Sequence, residues 1–453
     1  MIFYVKKMDV DKVDDLVNEL GTPVPEYLDI LQHKKDGLSQ FVVGTVVEDH
    51  LPLGGTTGAT LEWFVRGTER MIDPRGIYFV VKGRIAGLSG DKTGSGASDP
   101  HKTAAQDDKL SIEQNFIHSL FSSIDVLVND VNITPNNMNY PYISFFEHLF
   151  NMSSDARNTL AHEFMWTSTD ADREKLLNGG QFSGILTPRT ALFQQECFIS
   201  NFLDLKIILN RNTNPRFYLR HTGTVNTSDP FHVELTSVVL RVRKPLISDV
   251  YNDHIESMLS KGFNLRYLLR DVRVVTKSFG NAGNEITEEN LCHNLLPYNL
   301  VVGFVDTNAF SGDYTLSPFK FTNLSNQITE VGLFVNGQPF PTPPIKMNFA
   351  SKDTIEAYHY LHEAIQSNTE CDLPLLITKK DFDEGKLTLF AFNMAPDQRD
   401  SVDYRKAFNQ NANVRLYVKF SGSISTSFVL VYFYMTGADM IVNKLRQVTY
   451  VSR

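Results

Sequence analysis

Cysteine is almost missing from this chain. The 453 residues hold three, Cys197, Cys292 and Cys371, an odd number with no CxxC spacing. A disulfide framework and a thiolate zinc cluster are thereby excluded, and buried thiols in a reducing compartment are expected. A basic excess is missing as well: 43 Lys and Arg stand against 52 Asp and Glu, a formal charge of −9. A chain with that balance does not grip nucleic acid by neutralising phosphates, so no direct, sequence-specific nucleic-acid contact is expected. No apolar run approaches the roughly 20 residues of a membrane span. The start, Met1 to Lys7, turns basic too soon for a secretory signal, and synthesis in the cytosol is the expectation. The sequons at Asn132, Asn151, Asn226 and Asn323 then carry no information about glycosylation. Tryptophan is scarce, with 2 residues against 32 Phe and 17 Tyr, and the latter two suit the pleated, half-buried surface of a sheet.

What is present is one local pattern written twice. The first copy runs Asp125-Val-Leu-Val-Asn-Asp130, then a Pro/Asn-rich turn, then the aromatic helix Tyr142 to Phe150. The second runs Val331-Gly-Leu-Phe-Val-Asn-Gly337, then Pro339, Pro341, Pro343 and Pro344, then a helix over Asp353 to Ile365. In both, a hydrophobic strand ends in Asn plus a residue that tolerates positive φ, the chemistry of a tight turn. A spacing of this length does not make a solenoid; it points to two copies of a whole domain, which the chain is long enough to hold.

The pattern of apolar residues divides the chain into four parts. Residues 1–59 read as an N-terminal arm, with short amphipathic helices over 9–33 and a Gly/Thr hinge at Leu53-Gly-Gly-Thr-Thr-Gly58. That hinge resembles a phosphate loop but lacks its Lys-Ser/Thr. Residues 60–248 form a first β-domain, with strands expected at Leu61–Arg66, Gly76–Ile85, Leu203–Leu209, Arg216–Leu219 and Val233–Arg243. A mobile loop is expected at about 88–109, where Gly, Ser and Asp offer nothing to bury. Residues 249–268 are a helical connector. Residues 269–453 form the second β-domain, with strands at Val272–Thr276, Leu300–Val305, Leu387–Phe392, Val414–Phe420 and Phe428–Tyr434. Many strands separated by irregular loops predict an all-β chain of two tandem jelly-roll sandwiches with short helices in the loops.

Candidate chemistry is thin. His148 and the His162-Glu163 pair lie near the first helix. His221, His232 and Glu234 sit close in sequence, and His232-Val-Glu234 offers half of a cupin metal motif. His359 and His362 share one helix face without a third ligand. Asp381, Asp383 and Glu384 fall in a polar turn, where solvation is the default. No nucleophile elbow or dinucleotide fingerprint appears. No catalytic, cofactor-binding or metal residue is therefore assigned, no cofactor is expected, and the chain is read as a non-enzyme.

The segment Phe116 to Asp130, followed by Asn139-Tyr-Pro-Tyr142 and Phe145-Phe-Glu-His-Leu-Phe150, resembles the strand, Tyr-Pro-Tyr turn and helix of the major capsid proteins of Polinton/Maverick elements and adintovirus-like viruses. Ile328 to Pro341 followed by Ala357-Tyr-His-Tyr-Leu361 is similar to the matching segment of their second domain. The resemblance covers most of the chain from about residue 60; the arm has no match. It implies a double jelly-roll subunit of the adenovirus-like lineage that trimerises into pseudo-hexameric capsomers. Those would build an icosahedral shell around a double-stranded DNA genome, with minor or penton capsid proteins as partners and the virion as its location. The other reading is a tandem jelly-roll carbohydrate-binding or attachment protein; a cupin-type metalloenzyme would need bound metal.

Overall fold

The computed structural model describes residues 41–86, 110–134, 138–153, 156, 159–166, 181–195, 197–214, 217–221, 232–280, 283–366, 376–395 and 411–452. The expected helices over 9–33 and the expected loop at 88–109 lie outside the described residues.

Among the described residues, ten strands come from the first half: β1 (Val42–His50), β2 (Thr60–Val65), β3 (Tyr78–Ala86), β4 (Leu110–Ile112), β5 (Phe121–Val128), β6 (Val131–Asn132), β7 (Gln181–Leu186), β8 (Leu205–Arg211), β9 (Leu219–His221) and β10 (His232–Ile247). The second half supplies β11 (Leu265–Phe279), β12 (Glu285–Glu288), β13 (Asn299–Asp306), β14 (Ile328–Val335), β15 (Gln338–Lys346), β16 (Leu389–Asn393), β17 (Val414–Phe420), β18 (Phe428–Val442) and β19 (Val448–Ser452).

Sheet order reveals the duplication. The first half makes two four-stranded sheets, β1-β10-β3-β7 and β2-β8-β5-β6, with the β4–β9 pair to one side. The second half makes β11-β18-β13-β16, with β19 added on β18, and β12-β17-β14-β15. Setting aside β4, β9 and β19, each half has eight strands, and both follow one order: first, eighth, third and sixth in one sheet, second, seventh, fourth and fifth in the other. Neighbouring strands pair antiparallel throughout. Two antiparallel sheets in this interleaved order are a jelly roll, and the chain contains two.

The twice-written pattern is the hairpin of the fourth and fifth strands with the helix that follows it. Asn129 (φ 46°) and Asp130 (φ 64°) close the first hairpin, and Asn336 (φ 50°) and Gly337 (φ 83°) close the second. Two consecutive positive φ angles give the turn whose twist matches a tight hairpin. The prolines of the second copy lie in β15, an edge strand, where a missing N–H costs no ladder bond. Between facing sheets, Trp63 of β2 meets Phe79 of β3 with ring centroids 4.8 Å apart, and Phe420 of β17 meets Phe428 of β18 at 6.3 Å.

Three expectations need correction. Residues 42–50 are not part of an arm: they pair along β10 from His50↔Leu240 to Val42↔Ile247 and supply the first strand of the first jelly roll. The Leu53–Gly58 segment is accordingly the link from β1 to β2, with Leu53 N–H donating to the Glu62 carbonyl at 2.8 Å, rather than a hinge outside the domain. The connector is shorter than expected, since the helix Asp249–Ser260 ends well before 268 and residues 265–268 already belong to β11. A smaller displacement occurs near 216–219, where the strand is Leu219–His221.

Candidate functional site: the seam between the sandwiches

Asn139-Tyr-Pro-Tyr142 starts a helix for local reasons. Asn139 takes a left-handed conformation (φ 64°), and Pro141 occupies the first turn, where its missing N–H is not needed. The helix Tyr140–Asn151 then buries every residue from Tyr140 to Phe150. A helix buried on all sides has no solvent face to supply polar residues, which is why its sequence is so aromatic. It belongs to the first jelly roll but lies against the second. Phe145 stacks on Phe319 at 4.7 Å and on Trp166 at 5.1 Å. Phe146 meets Phe321 and Phe433, each at 5.3 Å, and Phe150 meets Phe433 at 5.7 Å. Tyr142 donates its hydroxyl to the Pro318 carbonyl at 2.9 Å. The corresponding helix of the second copy, Ile355–Gln366, lies instead on β15 and β16 of its own sandwich and buries Ala357, Leu361, Ala364 and Ile365.

Polar bolts flank the aromatic seam. Glu147, sunk in the helix, accepts from Arg270 Nη2 of β11 at 2.8 and 2.9 Å and from Gln194 Nε2 at 3.1 Å, so this buried carboxylate is both charge-paired and hydrogen-bonded. Arg446, in the β18–β19 hairpin, donates to Ser200 Oγ at 2.6 Å and Asn201 Oδ1 at 2.9 Å and also pairs with Glu256. The Arg446 carbonyl in turn accepts from Asn129 Nδ2 at 2.7 Å, which ties the first repeat's turn to the second sandwich. Tyr267 Oη accepts from Ser200 N–H at 3.0 Å and donates to the Phe198 carbonyl at 3.3 Å.

Beside the helix lies a recess of about 240 Å³, lined by His118, Glu147, His148, Glu163, Phe164 and Arg189 among others. His148, singled out in the sequence, is buried there, stacked on Phe164 at 4.2 Å and 4.8 Å from the His118 ring. Glu163 and His162 are exposed, with Glu163 on the rim. His232 and Glu234 touch at 3.4 Å on the half-exposed face of β10, where Arg84 pairs with Glu234 at 2.6 Å and pulls its carboxyl down. His221 lies apart on β9. His362 packs edge-on against Tyr358 at 4.4 Å. Asp381 accepts from Thr378 Oγ1 at 2.7 Å, Asp383 is held by Lys379 and Thr354, and Glu384 pairs with Lys386 at 3.0 Å. Among the described residues no three His, Cys, Asp or Glu side chains gather as a metal site, and no helix is long and apolar enough to cross a membrane. Cys292 is buried, whereas Cys197 lies exposed, contrary to the expectation of buried thiols; Cys371 lies outside the described residues. Sequence reasoning missed His118, Arg189, Arg270 and Arg446. Glu147 could have been noticed, being a lone charge inside an aromatic helix.

The strand order decides the architecture. The chain is a double jelly roll. Solved structures of the same shape support the assignment: a chain of the Sputnik virophage structure superposes with a TM-score of 0.62 at 10% identity, covering 92% of this chain and 89% of that one. The mavirus major capsid protein gives 0.53 at 10% identity, covering 100% and 96%, and the Faustovirus major capsid protein gives 0.51 at 9%, covering 95% and 97%. In sequence, the double jelly-roll chain is 21% identical over 327 residues to an uncharacterized protein of Caenorhabditis elegans, a match covering 67% of this chain and 73% of that protein. No family model matches it.

Proposed function

We propose that this chain is a major capsid protein that forms homotrimers, pseudo-hexameric in outline, and builds an icosahedral shell around a double-stranded DNA genome. The carrying observation is the seam. Two jelly rolls of identical strand order are fixed side by side by a helix that belongs to one and is buried against the other, so the subunit behaves as one rigid block with two similar faces. Three such blocks make a six-cornered tile, and closed rotational symmetry leaves no growing edge. Full-length likeness to the mavirus and Faustovirus shell proteins supports the reading.

Surface chemistry supports it too. β1 is an edge strand that exposes Val43, Val46 and Val47, followed by exposed Leu51 and Leu53. Proteins that work as monomers blunt such edges with charge or proline; a neighbouring subunit covers this one. We assign the jelly rolls to residues 42–248 and 265–453. The lineage we propose is that of Polinton/Maverick or adintovirus-like capsids. The shell recruits minor or penton proteins, contacts no DNA sequence specifically, and is assembled from subunits made in the host cytosol; the mature location is the virion. Negative-stain imaging of the expressed chain tests the reading: six-cornered particles of uniform size, or closed shells, are expected, whereas a dispersed single-chain species that binds glycans would contradict it.

A further inference from the structure

His118 and His148 are buried side by side in surroundings that do not accommodate an imidazolium. Arg189 Nε donates to His148 Nε2 at 3.3 Å. A guanidinium N–H can only donate, so this nitrogen must be an unprotonated acceptor. Tyr140 Oη accepts from the Arg189 backbone N–H at 3.2 Å and lies 2.8 Å from His118 Nδ1. A phenol oxygen can both donate and accept, so this contact suits either neutral tautomer of His118. His118 Nε2 is buried and without a hydrogen-bond partner among the described residues, so an imidazolium would hold an N–H there with no acceptor. Both side chains are almost fully buried, and their rings are 4.8 Å apart.

The other charges near the pair do not compensate a proton. Glu147 is taken up by Arg270 of β11 and by Gln194. Asp271 and Arg273 of β11 hold each other, and Asp125 of β5 accepts from Asn210. On the short helix Leu160–Phe164, His162 and Glu163 are exposed to solvent. Arg189 is the charge that faces the rings, and it has the wrong sign.

We propose that His118 and His148 form an acid-sensitive latch: at neutral pH they seat the helix Tyr140–Asn151, and in acid their protonation unseats it and loosens the two sandwiches from each other. The latch is a property of the single subunit and does not depend on the shell reading. Burial first, and Arg189 second, hold both rings well below the ordinary histidine pKa. A histidine lowered in the folded state takes up its proton more readily when unfolded. Its stabilisation is therefore complete above about pH 6.5 and is lost as pH falls below that value. Each such ring shifts the unfolding equilibrium by about tenfold per pH unit in that window, and the pair by about a hundredfold. His50 and His362, half-buried and also lowered by burial, add to the trend and set the background.

The test uses the full chain. Unfolding equilibria between pH 8 and 5 are measured by denaturant titration for the wild type and for the double variant His118→Gln, His148→Gln, whose amides are uncharged and can both donate and accept beside Tyr140 and Arg189. A steep loss of stability below about pH 6.5 in the wild type, flattened in the variant, is expected. Parallel curves would overturn the proposal. Should the variant not fold, ring-carbon NMR of the wild type labelled at histidine decides alone. Two rings that stay neutral until the fold is lost support the latch, and titration of every histidine near its ordinary value in the folded chain refutes it.

Discussion

Glu147 is a charged side chain in a helix that is otherwise aromatic or apolar over most of its length, and it is tolerated because Arg270 reaches it across the seam while Gln194 and Asn151 donate to it from its own sandwich. Glu147→Ala leaves the half-buried Arg270 guanidinium without its counter-charge, with Gln194 Oε1 at 2.7 Å still accepting from it; we expect a loss of about 3 kcal/mol, measured by urea unfolding. Gly303 illustrates the opposite constraint. A Cβ at this position in β13 would lie 2.4 Å from Phe321 Cδ1 and 2.7 Å from Leu389 Cδ2, and Phe321 is itself held by Phe146. Gly303→Ala should therefore cost about 1–3 kcal/mol through overpacking, visible as a lowered thermal midpoint with the sheet content retained. At this scale the sequence spoke unevenly. The positive-φ pairs Asn129-Asp130 and Asn336-Gly337 were readable, because turn chemistry is local. The Arg270–Glu147 bond joins residues 123 positions apart, and the Arg446–Ser200 bond 246 apart. No short-range pattern carries either.

Among the elements, the sequence concealed β4, β7, β12 and β19 as well as β1, and for β1 the reason is physical. Val42-Val-Gly-Thr-Val-Val-Glu-Asp-His50 places valines on both faces without alternation, because an edge strand exposed on either side needs none. β18 misled in another way. Its first half, Phe428 to Tyr434, is plainly apolar, while Thr436, Gly437 and Asp439 look like a strand's end. The strand continues to Val442 because Arg266 pairs with Asp439 at 2.8 Å and β11 runs beside it for the full length. The aromatic helix was legible as a helix but not as a seam, since composition records that a surface is buried and not what buries it. Placing β1 within the first jelly roll yields a prediction. Removal of residues 1–40, which keeps Phe41 against Tyr251 at 4.8 Å, should leave the thermal midpoint of the subunit nearly unchanged. Removal of 1–50 should lower it sharply, because the β10 edge and its apolar residues are uncovered. Equal midpoints for the two truncations would count against β1 as an integral strand.

For the whole molecule, the seam joins two sandwiches into a single contiguous apolar core that runs from Leu61 to Val448. Domains coupled this way unfold together, so a single calorimetric transition is expected for the wild type. Phe145→Ala, which removes the ring stacked between Phe319 and Trp166, should lower stability by about 3–5 kcal/mol and split the transition into two as the halves uncouple. A rigid two-lobed block with an exposed valine edge is what a shell requires of its subunit, and oligomeric state is where that account is most exposed. Sedimentation velocity of the purified chain at micromolar concentration measures it directly. A discrete species of three times the chain mass, stable on dilution, is the predicted result, and a monomer that persists across the concentration range would contradict the account.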